Sequence, residues 1–260
     1  MAGATDEEVM VGGVNTVARV GDTVRRPTGP WTPAVHALLT HLKARGFQGS
    51  PGVHGFDEQR REILDFVEGR VLDYPLPDSV LTDDALRSVG ELLREYHQAT
   101  LGFVPPPDTA WYFEPHEPAE VLCHGDFAPH NLVFHGGRAA AVIDFDTAHP
   151  GPRVWDFAWT AFCFGLSSMD DAGAPLDALG EQLRRVRVLA DAYGLSPEER
   201  EALPDVTIAR LRHLVAHIRE QAAAGHPGFS THVAEGHDIH YLAAVAKIDG
   251  SRDAMVAALA

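Results

Sequence analysis

The chain of 260 residues carries 37 acidic and 21 basic side chains, which gives a formal net charge of −16 at neutral pH. A field of this sign argues against nucleic acid or an anionic membrane surface as a partner and favours a cationic substrate, although an acidic surface also serves solubility alone. At 45% hydrophobic residues, the chain is long enough to bury a core in one domain or in two unequal lobes.

The sequence shows no pattern typical of export or membrane insertion. No apolar run approaches the roughly 20 residues that span a bilayer, and residues 1–8 lack the basic start and apolar centre of a signal peptide. Cys123 and Cys163 lie in apolar segments without the spacing of metal ligands or of a disulfide framework. These features predict a cytoplasmic location, and they leave the oligomeric state open.

The first 26 residues predict three short antiparallel strands, because apolar residues are interrupted by two glycine-containing turns. The strands are expected at residues 8–11, 14–20 and 23–26. The first turn contains Gly12 and Gly13. A pair of glycines in this position either covers a phosphate group or only closes a hairpin.

The next segment predicts one amphipathic helix followed by two strands. Thr32 and Pro33 have the order of an N-cap and a proline in the first turn, and apolar residues then recur with helical spacing up to Gly46. The strands are expected at residues 53–56 and 62–67, on either side of a polar turn. The amino-terminal part is thus expected to be a small antiparallel sheet with one helix.

The remainder of the chain is expected to be mostly helical. Ser196 and Glu199 form a capping box, and Pro204 is expected to interrupt the helix that they begin. Residues 170–175 read as a loop. Periodicity and capping residues predict further helices over residues 82–100, 155–164, 176–194, 205–224, 230–248 and 251–260.

Two features of this helical part leave alternatives open. Residues 108–120 form an insertion with three aromatic residues and three glutamates, which either suits a cationic, ring-bearing substrate or only anchors a long loop to the core. His213 and His217 lie four residues apart on a predicted helix, a spacing that can bind a metal. No third ligand follows, so we expect surface histidines.

The most informative stretch runs from residue 121 to residue 156. The short apolar runs at residues 121–123 and 140–143 each lead straight into a polar group. A third apolar run, at residues 132–134, is expected to pair with residues 140–143 across a turn at residues 135–137. Asp126 and Asn131 lie on the loop between the strands, and Asp144 lies where its strand ends. The sequence therefore predicts that a carboxylate, an amide and a second carboxylate meet at adjoining strand ends.

This set of groups suits phosphoryl transfer, in which a protein positions a hydroxyl near a carboxylate and holds magnesium through oxygen ligands. Asp126 would accept or orient the substrate hydroxyl, and Asn131 and Asp144 would hold the metal ion. A single aspartate at a strand end is usually a turn residue, but a chance coincidence of the whole set is improbable. We expect the chain to turn at Phe145 and to leave Asp146 as an outer group.

The order His124-Gly125-Asp126, the asparagine five residues after the aspartate, and the run at residues 143–146 resemble the aminoglycoside phosphotransferase family, small-molecule relatives of protein kinases. The resemblance implies an α+β, bilobal protein-kinase-like fold. Residues 1–68 would form a small antiparallel-sheet N-lobe, and residues 69–260 a larger, mainly helical C-lobe. It also implies that ATP and Mg²⁺ are the cofactors and that a hydroxyl of a small molecule is the acceptor.

The resemblance assigns the nucleotide contacts to the amino-terminal lobe. Gly12 and Gly13 would cover the phosphates, and a basic residue of the third strand would contact them. Arg25 and Arg26 are the candidates, and the proline that follows them favours Arg25. The adenine would be held by backbone groups near the end of the fifth strand, at Asp65, Phe66 and Val67.

The carboxy-terminal lobe would supply the remaining roles. His124 and Asp156 would support the catalytic loop rather than touch the substrate. In this family the C-terminal helices line the acceptor pocket, so Glu235 and Asp238 are candidates for binding cationic groups of the substrate. An acid at either position is more often a solvated residue of a helix surface.

One departure from the family pattern concerns the acid that pairs with the strand-three base. The family supplies it from the first helix, but no acidic residue occurs between Asp22 and Asp57, and the equivalent position falls near Val35 or His36. His36 is expected to be a solvated helix histidine. The proposed activity is transfer of the γ-phosphoryl group of ATP to a small molecule such as a cationic aminoglycoside; the alternatives are a kinase of a metabolic alcohol and a catalytically silent nucleotide-binding protein.

Overall fold

The amino-terminal part of the computed structural model is a five-stranded antiparallel sheet with one helix, and the structure describes residues 8–11, 16–167 and 179–260. The strands predicted near residues 8–11, 14–20, 23–26 and 53–56 are confirmed within these bounds. The fifth strand, predicted at residues 62–67, ends at Asp65, two residues earlier than predicted. Gly12 and Gly13 lie outside the described residues. The strands lie in the order β1-β2-β3-β5-β4 and are β1 (Glu8–Val11), β2 (Thr16–Val20), β3 (Thr23–Arg26), β4 (Val53–Phe56) and β5 (Glu62–Asp65).

The register between β3 and β5 decides which side chains enter the cleft. Arg26 stands opposite Glu62, and Val24 stands opposite Leu64. Leu64 is buried, and successive residues of a strand point to opposite faces of the sheet. Val24, Arg26, Glu62 and Leu64 therefore share the inner face of the sheet.

Helix α1 (Thr32–Ala44) covers this inner face with buried apolar residues such as Leu38 and Leu42. It begins one residue earlier than the capping pattern predicted. Trp31 occupies the N-cap position, and the hydroxyl of Thr32 accepts a hydrogen bond from the Gly29 backbone N–H at 2.9 Å. Thr32 is therefore not the cap, because it already closes the turn that begins at Gly29.

The carboxy-terminal part packs two small two-stranded sheets and two helices around the stretch that carries the motifs. Helix α2 begins after Thr82, whose hydroxyl accepts from the Ala85 N–H at 3.3 Å, as the capping pattern predicted. The strand at residues 149–151 had not been predicted. The elements are α2 (Asp83–Thr100), β6 (Val121–Cys123) paired with β9 (His149–Gly151), β7 (Leu132–His135) paired with β8 (Arg138–Val142), and α3 (Arg153–Ala161).

In the described residues 179–260 the chain forms five further helices, and the predicted loop at residues 170–175 lies outside the described residues. The C-terminal helical region, predicted as one segment, is divided at Gly236, whose φ of 79° ends regular helix geometry. A short helix at the C-terminus is confirmed. The helices are α4 (Leu179–Tyr193), α5 (Pro197–Ala223), α6 (Pro227–Ala234), α7 (His237–Gly250) and α8 (Arg252–Leu259).

The prediction that Pro204 interrupts a helix is wrong, because α5 continues through it. The proline lacks the N–H that would bond to the carbonyl one turn earlier, which costs roughly 3 kcal/mol in a helix interior. Its neighbour Leu203 is fully buried, and Pro204 is also buried. Burial of this apolar turn against the core offsets the lost hydrogen bond.

A single apolar cluster joins the sheet, α1 and the carboxy-terminal helices. Leu39 of α1, Leu93 of α2, Phe157 of α3 and Leu211 of α5 are all almost fully buried in it. Among the residues that the structure describes, no helix is long and apolar enough to cross a membrane. The cleft between the sheet and the helical part contains the motif residues.

Candidate active site

The loop after β6 presents Asp126 to the cleft through hydrogen bonds from three side chains. Its Oδ1 accepts from the Trp159 indole N–H at 2.8 Å, and its Oδ2 accepts from the Asn131 amide at 2.9 Å. His130 lies 3.1 Å from the same Oδ2. The carboxylate is therefore fixed in orientation while about a third of the side chain, 32%, stays exposed.

These contacts also decide the protonation state of Asp126. Burial acts to raise the pKa of its carboxyl. The hydrogen bond and charge of His130 and the hydrogen bond from Trp159 outweigh burial and hold the pKa below its ordinary value. The group is thus an anion at neutral pH. Such a carboxylate can accept a hydrogen bond from a substrate hydroxyl and orient it for attack.

Asn131 and Asp144 are locked side by side. The Ile143 N–H donates to the Asn131 carbonyl at 2.9 Å, so the residue before Asp144 is bonded to the residue that ends the loop. Asp144 has a left-handed φ of 64°, which is uncommon for a residue with a side chain and often marks a functional position. The chain turns at Phe145, as predicted, in a short 3₁₀ turn.

The backbone of the loop is braced by Asp156 of α3. Its carboxylate is fully buried and accepts from the backbone N–H groups of His124 at 2.7 Å and Gly125 at 2.9 Å. His97 of α2 completes the set at 3.0 Å. Burial acts to raise the pKa of Asp156, but the bond to His97 and the other partners outweigh it and lower the pKa to about 2.

His124 and Gly125 give the loop its shape. His124 is fully buried, and its Nε2 donates to the Ile143 carbonyl at 3.1 Å, which joins the loop to the strand end at Asp144. Gly125 has a φ of 81°, and an added Cβ there would lie 2.4 Å from the Thr147 carbonyl oxygen, so only glycine fits. The buried Arg210 of α5 donates to the Gly125 carbonyl at 2.7 Å.

The structure corrects the choice of Arg25, because Arg26 is the arginine that faces the cleft. Arg26 is 7% exposed, and its Nη2 lies 3.0 Å from Asp144 Oδ1 and also contacts Asp146. Arg25 points to the opposite face of β3, where it donates to the Thr23 hydroxyl at 2.7 Å. Strand alternation gives the reason, since Val24 and Arg26 share the inner face.

The cation-binding groups fit magnesium chemistry. The amide nitrogen of Asn131 donates to Asp126, so its amide oxygen is the atom suited to bind a cation, and the Asp144 side chain is 48% exposed. No group of three or more His, Cys, Asp and Glu side chains that could hold a metal ion occurs among the described residues. Mg²⁺ commonly uses one or two protein oxygen ligands together with phosphate oxygens and water, and Asn131 with Asp144 meets that requirement.

The residues expected to hold adenine are partly engaged in the sheet. The N–H of Asp65 donates to the Gly52 carbonyl at 2.9 Å, and the N–H of Phe66 donates to the Asp22 carbonyl at 2.9 Å. The Asp65 carboxylate accepts from the Gly52 N–H and contacts His54. Two of the three N–H groups are thus committed, which shifts the expected adenine contact to the backbone of Val67 and to carbonyl groups.

Asp238 and Glu235, the acidic residues expected to bind a cationic substrate, both have charged or polar partners within the protein. Asp238 is buried and paired with Arg219 of α5 at 2.7 Å, so its charge already has a partner within the protein. Glu235 is exposed at the end of α6 and lies 3.3 Å from His237. The Asp238 candidate is therefore corrected: this carboxylate holds α7 against α5.

Contacts between aromatic and imidazole rings connect the insertion at residues 108–120 to α5 and to the N-lobe. Tyr112 packs edge-on against Trp31 at 4.8 Å between ring centroids, and its hydroxyl lies 3.4 Å from His217. Phe113 is buried and contacts His213 and His217. The expectation of surface histidines is thus wrong, because both rings are half-buried against the insertion, and the insertion does anchor to the core.

His149 of β9 adds a pH dependence to the stability of this region. The ring is 1% exposed, its Nδ1–H donates to the Thr147 carbonyl at 2.8 Å, and burial lowers its pKa to about 4. The unfolded chain has a pKa of roughly 6.5 here, so the stabilisation is complete above that pH and is lost as the pH falls from 6.5 through 4. The difference is worth about 3 kcal/mol.

We therefore expect the free energy of unfolding to fall less steeply between pH 6.5 and 4.5 in His149→Gln than in the wild type, because glutamine cannot take up the proton. Denaturant unfolding across this pH range measures the slope. His54→Gln, at a half-exposed histidine bonded to Asp65, is the matched control. Equal slopes in wild type and His149→Gln would show that His149 does not carry this dependence.

Several residues of the site had not been recognised in the sequence. Trp159 lies three positions after Asp156 on α3, so both occupy one face of the helix, and that spacing was a usable signal. His130 lies four positions after Asp126, which was a weaker signal. Glu62 lies 3.1 Å from Arg26 and 2.8 Å from His36, so His36 is not solvated. The strand register that produces these contacts is not visible in the sequence.

Comparisons with known proteins agree with this geometry. The model of the phosphotransferase enzyme family, APH, matches residues 110–193, which include the loop that carries Asp126 and Asn131 and the strand end at Asp144. The chain is also 37% identical, over 222 residues, to the trifolitoxin immunity protein of Rhizobium leguminosarum bv. trifolii, covering 82% of this chain and 83% of that protein. The chain therefore belongs to the aminoglycoside phosphotransferase family.

Solved structures show the same fold at low identity. A choline/ethanolamine kinase family protein from Mesorhizobium loti superposes with a TM-score of 0.66 at 16% identity, over 98% of this chain and 92% of that one. An amicoumacin kinase superposes with a TM-score of 0.62 at 12% identity, over 88% of each chain. The bilobal protein-kinase-like fold, with a small antiparallel-sheet lobe and a larger, mainly helical lobe, is thereby confirmed.

Proposed function

We propose that this protein transfers the γ-phosphoryl group of ATP to a hydroxyl of a small molecule, with Mg²⁺ as the cofactor. One observation carries the proposal: Asp126, Asn131 and Asp144 are fixed beside one another, and Arg26 reaches Asp144 from the other lobe. A base, two oxygen ligands and a cation for phosphate are the groups that phosphoryl transfer requires from a protein. The family to which the chain belongs supports this reaction class.

Each residue has a defined role in this proposal. Asp126 accepts the hydrogen bond of the acceptor hydroxyl, and Trp159 and Asn131 hold the carboxylate in place. Asn131 and Asp144 hold the divalent cation, which when bound neutralises phosphate charge and orients the nucleotide. Arg26 contributes the protein's cationic contact to the phosphates. These assignments are proposals supported by the distances within the cleft.

In this proposal, the nucleotide lies between a lobe of residues 1–68 and a lobe of residues 69–260. In the proposal, the backbone at Val67 and the neighbouring carbonyls hold the adenine, and Gly12 and Gly13, which lie outside the described residues, are the residues expected to cover the phosphates. The amicoumacin kinase structure contains AMP-PNP and Ca²⁺. A kinase of the same fold thus holds a nucleotide and a divalent cation, which supports ATP and Mg²⁺ as the cofactors here.

An antibiotic or a toxin is the acceptor class that we favour. The 37% identical relative is named an immunity protein against trifolitoxin, and phosphorylation of a toxin hydroxyl is one chemical route to immunity. The insertion carries the half-buried ring of Tyr112 beside His217, and such rings suit a ring-bearing molecule. A cationic aminoglycoside remains within this class, and the net charge of −16 favours it.

The proposal is tested by incubating the protein with ATP and Mg²⁺ and a panel of acceptors: trifolitoxin, aminoglycosides, other hydroxylated antibiotics, and choline, homoserine and sugars. ADP release and the mass of the product identify any phosphoester. We expect a phosphoester on at least one antibiotic or toxin. A phosphoester only on a metabolic alcohol would select that alternative, and tight, metal-independent nucleotide binding without transfer to any acceptor would select a silent binding protein.

A further inference from the structure

The Arg26 guanidinium contacts carboxylates on two of its nitrogens. Nη2 points into the cleft, where it contacts Asp144 and Asp146 of the C-lobe. Nε lies 3.1 Å from Glu62 Oε1 of the neighbouring strand, an ion-pair contact without hydrogen-bond alignment. Burial acts to lower the pKa of Arg26, but the three carboxylates outweigh it and raise the pKa. Arg26 therefore remains a cation inside the protein.

Glu62 differs from the two aspartates in its surroundings. Its side chain is 1% exposed, whereas Asp144 is 48% exposed and Asp146 is 16% exposed. A buried carboxylate must be paired, because an isolated one is costly to remove from water. Glu62 meets this requirement with both oxygens, since Oε1 faces Arg26 and Oε2 lies 2.8 Å from His36 Nε2.

His36 is held in turn by its own contacts on α1. Its ring stacks on Phe56 of β4 at 5.0 Å between centroids with an interplanar angle of 26°. Helix α1 carries no acid of its own in the first turn, and the sequence has none between Asp22 and Asp57. The helix thus contributes a histidine, and the strand contributes the acid.

We infer that Glu62, oriented by His36, is the positioning residue that holds Arg26 against the nucleotide-binding cleft and takes the place of an acid on α1. This inference rests on the proposed function. Glu62 contacts Nε and the two aspartates contact Nη2, so the Glu62 contact can persist while the Nη2 edge is presented to an anion. Cross-strand pairing of Arg26 with Glu62 fixes the geometry in the sheet itself.

Glu62→Gln tests the inference, since it removes the charge and keeps the shape. We expect the Kd of ATP, and the KM for ATP, to rise roughly 10- to 100-fold, because misplacing a positioned group by about 1 Å can cost about 10²-fold. The KM of the acceptor should change little. Glu68→Gln is the matched control: Glu68 is on the same lobe and pairs with Arg19, but its side chain is 69% exposed.

A double-mutant cycle with Arg26→Gln separates positioning from general damage. If Glu62 acts through Arg26, the Kd of ATP for Glu62→Gln/Arg26→Gln will equal that for Arg26→Gln alone within about twofold. Additive losses, or a wild-type Kd in Glu62→Gln, would overturn the inference. If Glu62→Gln does not fold, His36→Phe takes its place in the same cycle. A loss of ATP affinity that vanishes in the Arg26→Gln background supports the inference, whereas an additive loss of ATP affinity overturns it.

The binding readout also separates this inference from the proposed reaction. A wild-type protein that binds ATP but transfers no phosphoryl group refutes the proposed function, yet the binding cycle still decides the role of Glu62. Conversely, if the wild-type enzyme is fully active and the Glu62→Gln variant binds ATP like wild type, the role of Glu62 is refuted and the proposed function stands. Thermal unfolding of each variant checks that the compared proteins are folded.

Discussion

Replacing Asp126 by asparagine is expected to reduce kcat by about 10²- to 10⁴-fold, the usual contribution of a positioned acid–base group. Asparagine has nearly the same shape, but its amide nitrogen, which is itself a donor, must then face a hydrogen-bond donor. Trp159 donates to one oxygen of the native carboxylate and Asn131 donates to the other, so the amide satisfies only one of them. The variant loses both the accepting charge and the fixed orientation.

The Kd of ATP should stay near the wild-type value in this variant, because the role proposed for Asp126 is on the acceptor hydroxyl rather than on the nucleotide. Steady-state kinetics and calorimetry with the same preparation make the comparison. Asp84→Asn is the matched control, since Asp84 is an exposed aspartate of α2 whose partner is Arg87. Wild-type kcat in Asp126→Asn with an accepted substrate would refute the catalytic assignment.

The second large effect is expected for Asp144→Asn, which should raise the Mg²⁺ concentration needed for half-maximal activity roughly 100-fold or more. Removal of even an outer partner of a metal ligand costs about 10- to 100-fold in metal affinity, and Asp144 is proposed as a direct ligand. The carboxylate lies at the end of β8 and is half-exposed to the cleft. Loss of its charge removes the main protein anion available to the cation.

The contact with Arg26 gives this prediction a second, independent readout. Asp144→Asn removes a charge that binds Arg26 Nη2 at 3.0 Å, so ATP binding without Mg²⁺ should be unchanged or tighter. Titrations of ATP with and without Mg²⁺ measure both effects. Asp146→Asn should change the Mg²⁺ requirement less, because Asp146 is largely buried beside Arg26. Equal Mg²⁺ dependence in wild type and Asp144→Asn would contradict the assignment of Asp144.

The central site was predictable because its parts are joined by local interactions. The side chains of Asp126 and Asn131 are five residues apart and bonded to each other. The hairpin of β7 and β8 brings the chain back so that Ile143 bonds to Asn131. Short loops and hairpins leave few arrangements, so the spacing of the motif was sufficient to predict which groups meet.

The choice between Arg25 and Arg26 depends on strand alternation, which is a signal present in the sequence. The alternation of Val24 with its neighbours predicts that Arg26 shares the inner face. Alignment on the proline after Arg26 favoured Arg25 instead. The structure follows the burial pattern, since Leu64 opposite Val24 is buried and Arg25 bonds to Thr23 on the other face.

Local patterns in the sequence were enough to predict the family motif, most of the strands and helices in their order, and the loop that carries Asp126 and Asn131. The distant groups that support this loop became evident only from the folded chain. Arg26 and Asp144 are 118 residues apart, and Arg210 and Gly125 are 85 residues apart. Periodicity and capping act over a few residues, whereas these pairs depend on which faces are buried together and in which register, and that is settled only when the whole core packs.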